Sequence, residues 1–510
     1  MDTTADGTTR VPPDAGDTRV VLDGRGLGLT GIVRLADAAA DPAVPPAALQ
    51  RVRHAWETAG GLAATGLLYG RGTGVGAHRS VPVDPDDETG HGLRLLRSHA
   101  GGAGPLLPAR QTRAMLAVRA NQLLAGGSGI HPAFVTALTE ALRLGVHPAI
   151  NEYGGLGTGD LTALAQTGLT LIGERPWLTS AAEGGGHPRP DTPPGTPPLP
   201  APVTLGPGDA LALLSSNALA LGRAALAAHE ADVLLRAGHA VAALSLAAVS
   251  GSAEAFAAEV HALRPYPGPA RAAAEVRRLL GMPERPRGAG RRIQDPYGFR
   301  AFPQVHGAAL EAFDRLRRII EVEVNCPSEN PVFAPDGRAY HHGGFFAAPL
   351  GQALDALNLA VLQTAQLSAA RLAALGRTDL TGLPAFLAAG PAGSSGTMIL
   401  EYTANSALAE MRSCAAPASA GHAVLSHGLE EAASFAGQAA RQTGRSVAAH
   451  VTVLACELVA AVRALRLLPV PPPVPAFAVA AAALPPDTED RPLTGDVTAA
   501  AELLPVLATL

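Results

Sequence analysis

Several long stretches of this chain read as continuous helix: roughly residues 208–250, 302–324, 347–375, 397–415 and 427–467, with small and apolar residues at three-to-four spacing. Helices of about thirty residues exceed the ordinary globular length of about 11–12. They can bury their apolar faces only against one another, so the chain is constrained to a bundle of helices lying side by side. Composition agrees. Hydrophobic residues make up 47% of the chain but aromatic ones only 4%, and alanine and leucine favour helix while the strand-forming types are scarce. The expected fold class is mainly α, a long-helix bundle with a loop-rich N-terminal region.

The 510 residues divide by pattern. Residues 1–18 are polar and acidic and are expected to be disordered. Residues 19–207 form a loop-rich N-terminal region with shorter helices at 108–124 and 131–144 and an exposed proline-rich loop at 183–205. Residues 208–468 form the central bundle, and 469–510 a Pro/Ala-rich C-terminal tail. A net charge of -5 gives no basic footprint, so nucleic acid is not expected as a partner.

Every residue counted as Lys or Arg is arginine; no lysine occurs. That excludes a lysine Schiff base and a P-loop. Three widely spaced cysteines, Cys326, Cys414 and Cys456, argue against a disulfide framework and for a reducing, cytoplasmic setting. The N-terminus lacks the apolar core of a signal peptide. The longest apolar run, 448–468, carries His450, Glu457, Arg463 and Arg466, which disfavours a membrane span. The histidines show no metal-ligand spacing, and no metal is expected.

Chemistry is concentrated in a few loops. Residues 151–161 read NEYGGLGTGDL, a glycine-rich backbone able to turn sharply. Tyr69, Tyr153 and Tyr297 sit in Gly- or Pro-containing turns. Such rings commonly plug loops onto a core, but two of them beside a glycine-rich loop would make an acid–base pair. In Gln294-Asp295-Pro296-Tyr297-Gly298-Phe299-Arg300 the guanidinium of Arg300 suits bidentate capture of a carboxylate; taken alone it reads better as an arginine in a surface ion pair.

Taken together, these segments resemble the histidine and aromatic amino acid ammonia-lyases. QDPYGFRAFPQVHGA is similar to that family's Q-D-x-Y-S-x-R-x-x-P-Q-V-x-G, and LLYGRGTGVG to its Y-G-x-x-T-G-F-G. RSHAGGAGPLLP, RANQLLAGGSG, EVNCPSENPVF and HHGGFFAAP match further family segments in family order. The resemblance implies a tetramer of long helices with active sites shared between subunits, acting on an amino acid or related carboxylate. It implies Tyr69 as general base, Tyr297 as acid or oxyanion partner and Arg300 as carboxylate clamp. His99, Gln294, Phe346 and Glu430 match positions lining the site, and Ser215 stands where the family has an asparagine. In the family an Ala-Ser-Gly triad cyclises to a methylidene-imidazolone, an electrophile that activates the amino group.

Here the triad position reads Gly157-Thr158-Gly159. Dehydrated threonine would leave a methyl on the carbon that must be attacked. A normal ring is therefore not expected, and no external cofactor either. The polar members of the N-F-H-A segment are also replaced, by Phe345-Phe346-Ala347-Ala348. The expectation is altered elimination chemistry, with a catalytically silent scaffold or regulatory subunit as the alternative.

Overall fold

The computed structural model describes residues 18–64, 68–179, 198–286 and 292–510. The expected disorder of residues 1–17 and most of the proline-rich loop lie outside them.

Helices dominate, and the longest are the ones that carry the core. In chain order the elements used below are α1 (Ala109–Leu124), α2 (Leu161–Leu171), α3 (Ala218–Ala248), α4 (Phe302–Glu323), α5 (Ala348–Leu375), α6 (Met398–Cys414), α7 (Ala436–Leu467) and α8 (Thr494–Leu507). Alanine and leucine fill α3 on nearly every face, and almost all of it is buried. A helix apolar all round belongs in the middle of a bundle. It packs against α7 and α1; α7 also meets α5 and α6, and α5 meets α4. Beyond the second proline-rich stretch, α8 folds back onto α3 and α7 and buries Leu503, Leu504 and Leu507.

By length and composition, Asp209–Ala248 and Ala436–Leu467 could each cross a membrane; both are mostly buried inside the protein, and that burial accounts for their apolar character.

Among the described residues, sheet structure is confined to two-stranded pairs. The pair that matters for the site joins Ala103–Leu106 antiparallel to Asn151–Tyr153, which fixes the start of the glycine-rich loop.

Two of the long stretches differ from their sequence expectation, both beside that loop. The helix expected over 208–250 breaks between Asp209–Leu214 and α3. The helix expected from 427 begins only at Ala436, because Ser426, His427 and Phe435 take positive φ values of 52°, 57° and 52°. Such conformations cost non-glycine residues of order 1–3 kcal/mol and persist only where surrounding contacts determine them.

Candidate active site

The loop Gly154–Asp160 is gripped from several sides. The carbonyl of Gly157 accepts hydrogen bonds from the Ser434 hydroxyl at 2.8 Å and from the Ala347 amide at 3.1 Å. The Gly159 amide donates to Asn217 Oδ1 at 3.0 Å, and Asn217 Nδ2 donates in turn to the Phe345 carbonyl. The Phe435 amide donates to the Leu156 carbonyl at 2.8 Å, with Phe435 itself in a left-handed conformation. Gly157 has φ +80°, and a methyl there would lie 2.0 Å from the Ser434 hydroxyl oxygen. Only glycine fits.

These gripping residues share a position: Asn217, Ala347 and Phe435 immediately precede α3, α5 and α7. Asp160 likewise precedes α2. Four helix N-termini therefore converge on Gly157-Thr158-Gly159, each equivalent to about half a positive charge. The Asp160 carboxylate answers part of that field by accepting from the Ala220 amide at 2.8 Å. Burial nevertheless pushes its carboxyl up to about 6, against the amides of Ala220 and Leu219 and the charge of Arg223. The remaining potential favours negative charge developing at the loop.

Tyr69 stands among the same segments. Its hydroxyl accepts from the Gly76 amide at 2.8 Å, and its ring meets that of His341 edge-on at 6.4 Å. The neighbouring Ala77 amide donates to Ser426 Oγ at 3.0 Å, tying the tyrosine loop to the segment that carries Glu430 and Ser434. Burial raises the phenol above its ordinary value; Glu430 adds to the rise, while the Gly76 amide and Arg79 oppose it. Ser215 and Tyr69 line one small cavity with Glu329. Phe346 lies in the turn that delivers the Ala347 amide to the loop. His99 ends the helix Glu88–His99, with Nδ1 3.0 Å from its own Leu95 carbonyl, just ahead of the strand that pairs with Asn151–Tyr153.

Gln294, Tyr297 and Arg300 lie elsewhere in the chain. The Tyr297–Arg300 turn packs against Arg371 near the far end of α5, whereas the loop meets its beginning. From Ala348 to Arg371 the helix rises about 35 Å. Tyr297 is 69% exposed, and the Arg300 guanidinium lies 4.5 Å from the centre of its ring. Within a single chain the glycine-rich loop and the Tyr297–Arg300 turn thus lie at opposite ends of α5.

A family model described as aromatic amino acid lyase matches residues 27–483. The chain belongs to that family. Among its relatives, histidine ammonia-lyase of Anaeromyxobacter sp. (strain K) is 35% identical over 501 residues, 95% of this chain and 98% of the relative. The crystal structure of histidine ammonia-lyase from Trypanosoma cruzi superposes with a TM-score of 0.84 at 28% identity, covering 95% of this chain and 93% of that one. The ergothioneine-degrading enzyme ergothionase from Treponema denticola, solved with desmethyl-ergothioneine sulfonic acid, gives 0.84 at 26% identity over 96% and 99%. Membership makes this lyase a carbon–nitrogen lyase of ammonia-lyase type.

Asn217 and Ser434 escaped the sequence reading, which looked to Ser215 for the residue that holds the loop. No local pattern marks either residue. Only the folded contacts, 58 and 277 residues apart in sequence, reveal them.

Proposed function

We propose that this lyase eliminates an amine from an amino acid or a related carboxylate, in sites assembled by a homotetramer. Tyr69, as phenolate, takes the β-proton. The C–N bond breaks with its electrons leaving on nitrogen, and a carbon–carbon double bond forms. Arg300 of another copy clamps the substrate carboxylate, and Tyr297 of that copy acts as acid or oxyanion partner; Gln294, His99, Phe346 and Glu430 line the site. The convergence of four helix N-termini on Gly157-Thr158-Gly159 carries the reading, because it would stabilise negative charge built up on a substrate bound there as the proton is removed. The three cysteines, unpaired in the fold, fit a cytoplasmic enzyme.

In family members the self-made imidazolone supplies an electrophile for the amine. The residues present here do not match that group. Thr158 brings a methyl, Ser434 closes position 157 against the family's alanine, and the Gly157 carbonyl and Gly159 amide are each hydrogen-bonded to other partners. These contacts support an open loop. Without the electrophile ammonia departs poorly, so the reading favours a substrate with a more acidic proton or a better leaving group, such as a quaternary ammonium group, which has no N–H to lose and leaves as a neutral tertiary amine.

Mass spectrometry of the peptide spanning Asn151–Leu161 tests the open loop: the unmodified mass is expected, and loss of water would overturn it. Formation of an unsaturated product, followed by absorbance, tests the elimination with histidine, phenylalanine, tyrosine and their trimethylammonium counterparts. Tyr69→Phe should lower turnover about 10²–10⁴-fold. Wild-type protein inert towards all of them would favour the scaffold role.

A further inference from the structure

A buried polar cluster far from the glycine-rich loop is unused by the chemistry above. Arg371 on α5 and Glu457 on α7 are both almost fully enclosed, with side-chain exposures of 2% and 0%. Arg371 Nε and Nη2 donate to the two carboxylate oxygens of Glu457 at 2.6 and 2.8 Å. Glu457 also accepts from Ser245 Oγ on α3 and Ser368 Oγ on α5, both at 2.6 Å. Burying such a pair is expensive, and apolar residues of similar volume often serve stability as well or better.

One bond leaves this cluster for the Tyr297–Arg300 turn: Arg371 Nη1 donates to the Gly298 carbonyl at 3.0 Å. Gly298 allows the approach, since a methyl there would lie 3.1 Å from Arg371 Cγ. The turn is also tethered upstream. Asp295 accepts from the Ser252 amide at 2.5 Å and from Arg292 Nε at 2.9 Å, and Arg292 donates to the carbonyls of Val249 and Leu380. The backbone is thus fixed from inside while Tyr297 remains exposed.

We infer that Arg371, oriented by Glu457, is a positioning residue for the carboxylate clamp: it sets the backbone of residues 297–300 so that Tyr297 and Arg300 are presented to another copy's site. The inference rests on the roles proposed above for Tyr297 and Arg300. Geometry of this kind matters because clamps work only when pre-organised, and small misplacement of a positioning group is costly.

The test compares the full-length protein with Arg371→Met/Glu457→Met, which removes both charges together and leaves neither unpaired. Hydrogen exchange is read at the amides of Phe299, Arg300 and Ala301, which bond to Pro296 and Tyr297 carbonyls. These amides should exchange about tenfold faster in the variant, with the middle of α5 unchanged. KM for the carboxylate substrate should rise about tenfold with kcat nearly constant, the pattern of lost uniform binding. Unchanged exchange at 299–301 would overturn the inference, whatever the activity. Faster exchange in a protein whose wild type turns over nothing would uphold the positioning and sink the lyase reading. Ser368→Ala, a milder release of Glu457, gives the same readouts if the double variant does not fold, with a smaller acceleration expected and none counting against the proposal.

Discussion

As the proposed base, Tyr69 must lose its own proton before it can remove one, and its surroundings resist this. Burial and the charge of Glu430 hold the phenol above its ordinary value of 10.0. The basic form is therefore scarce near neutrality and grows about tenfold per pH unit, so kcat/KM should climb steeply on the alkaline side. Glu430→Gln removes one of the groups that raise the phenol. Its alkaline limb should shift to lower pH, and a pH–rate profile that stays in place would remove Glu430 from the electrostatics of the base. Gly157 provides a second test. Restoring the family's alanine there forces a side chain onto φ +80° and against the Ser434 hydroxyl. Gly157→Ala should cost about 1–3 kcal/mol in denaturant unfolding, and Gly157→Ala/Ser434→Gly should recover part of it.

At the scale of elements, the short helix Asp209–Leu214 ends on a buried cation. Arg119 of α1 donates to the carbonyls of Leu213, at 3.1 Å, and Ala212, and pairs with Glu329 at 2.8 Å. This holds the chain at the break that frees Asn217 to reach the loop. Arg119→Met would leave Glu329 buried without its partner and those carbonyls without a donor. The unfolding free energy should fall by about 3–5 kcal/mol, measured by urea titration, and a change below about 1 kcal/mol would contradict this account. The bodies of the long helices were legible in the sequence because apolar spacing and alanine content are local properties. Their ends beside the loop were not. Asn217 and Phe435 leave helical geometry for partners at Gly159 and Leu156, and such partners belong to tertiary structure. The same division holds in the site: Tyr69 and Arg300 stood in recognisable motifs, while Asn217 and Ser434 became visible only as loop contacts.

At the scale of the whole molecule, the proposed pairing of Tyr69 as base with Arg300 as clamp demands more than one copy of the chain. The glycine-rich loop meets the beginning of α5, and the Tyr297–Arg300 turn meets Arg371, about 35 Å further along that helix. No side chain spans that distance, so a clamp and a base acting on one substrate must come from different copies. The long helices suit this, because copies packed antiparallel would bring the beginning of one bundle beside the far end of the next. Intragenic complementation tests the point directly. Chains carrying Tyr69→Phe and chains carrying Arg300→Met should each form inactive oligomers. Co-expressed, they mix at random, and a site needs an intact tyrosine from one copy and an intact arginine from another. About a quarter of the sites should then be whole, so the mixture should regain about a quarter of wild-type turnover, while light scattering should report four chain masses throughout. If base and clamp came from one chain, every site in the mixture would lack one of them, and no activity would return.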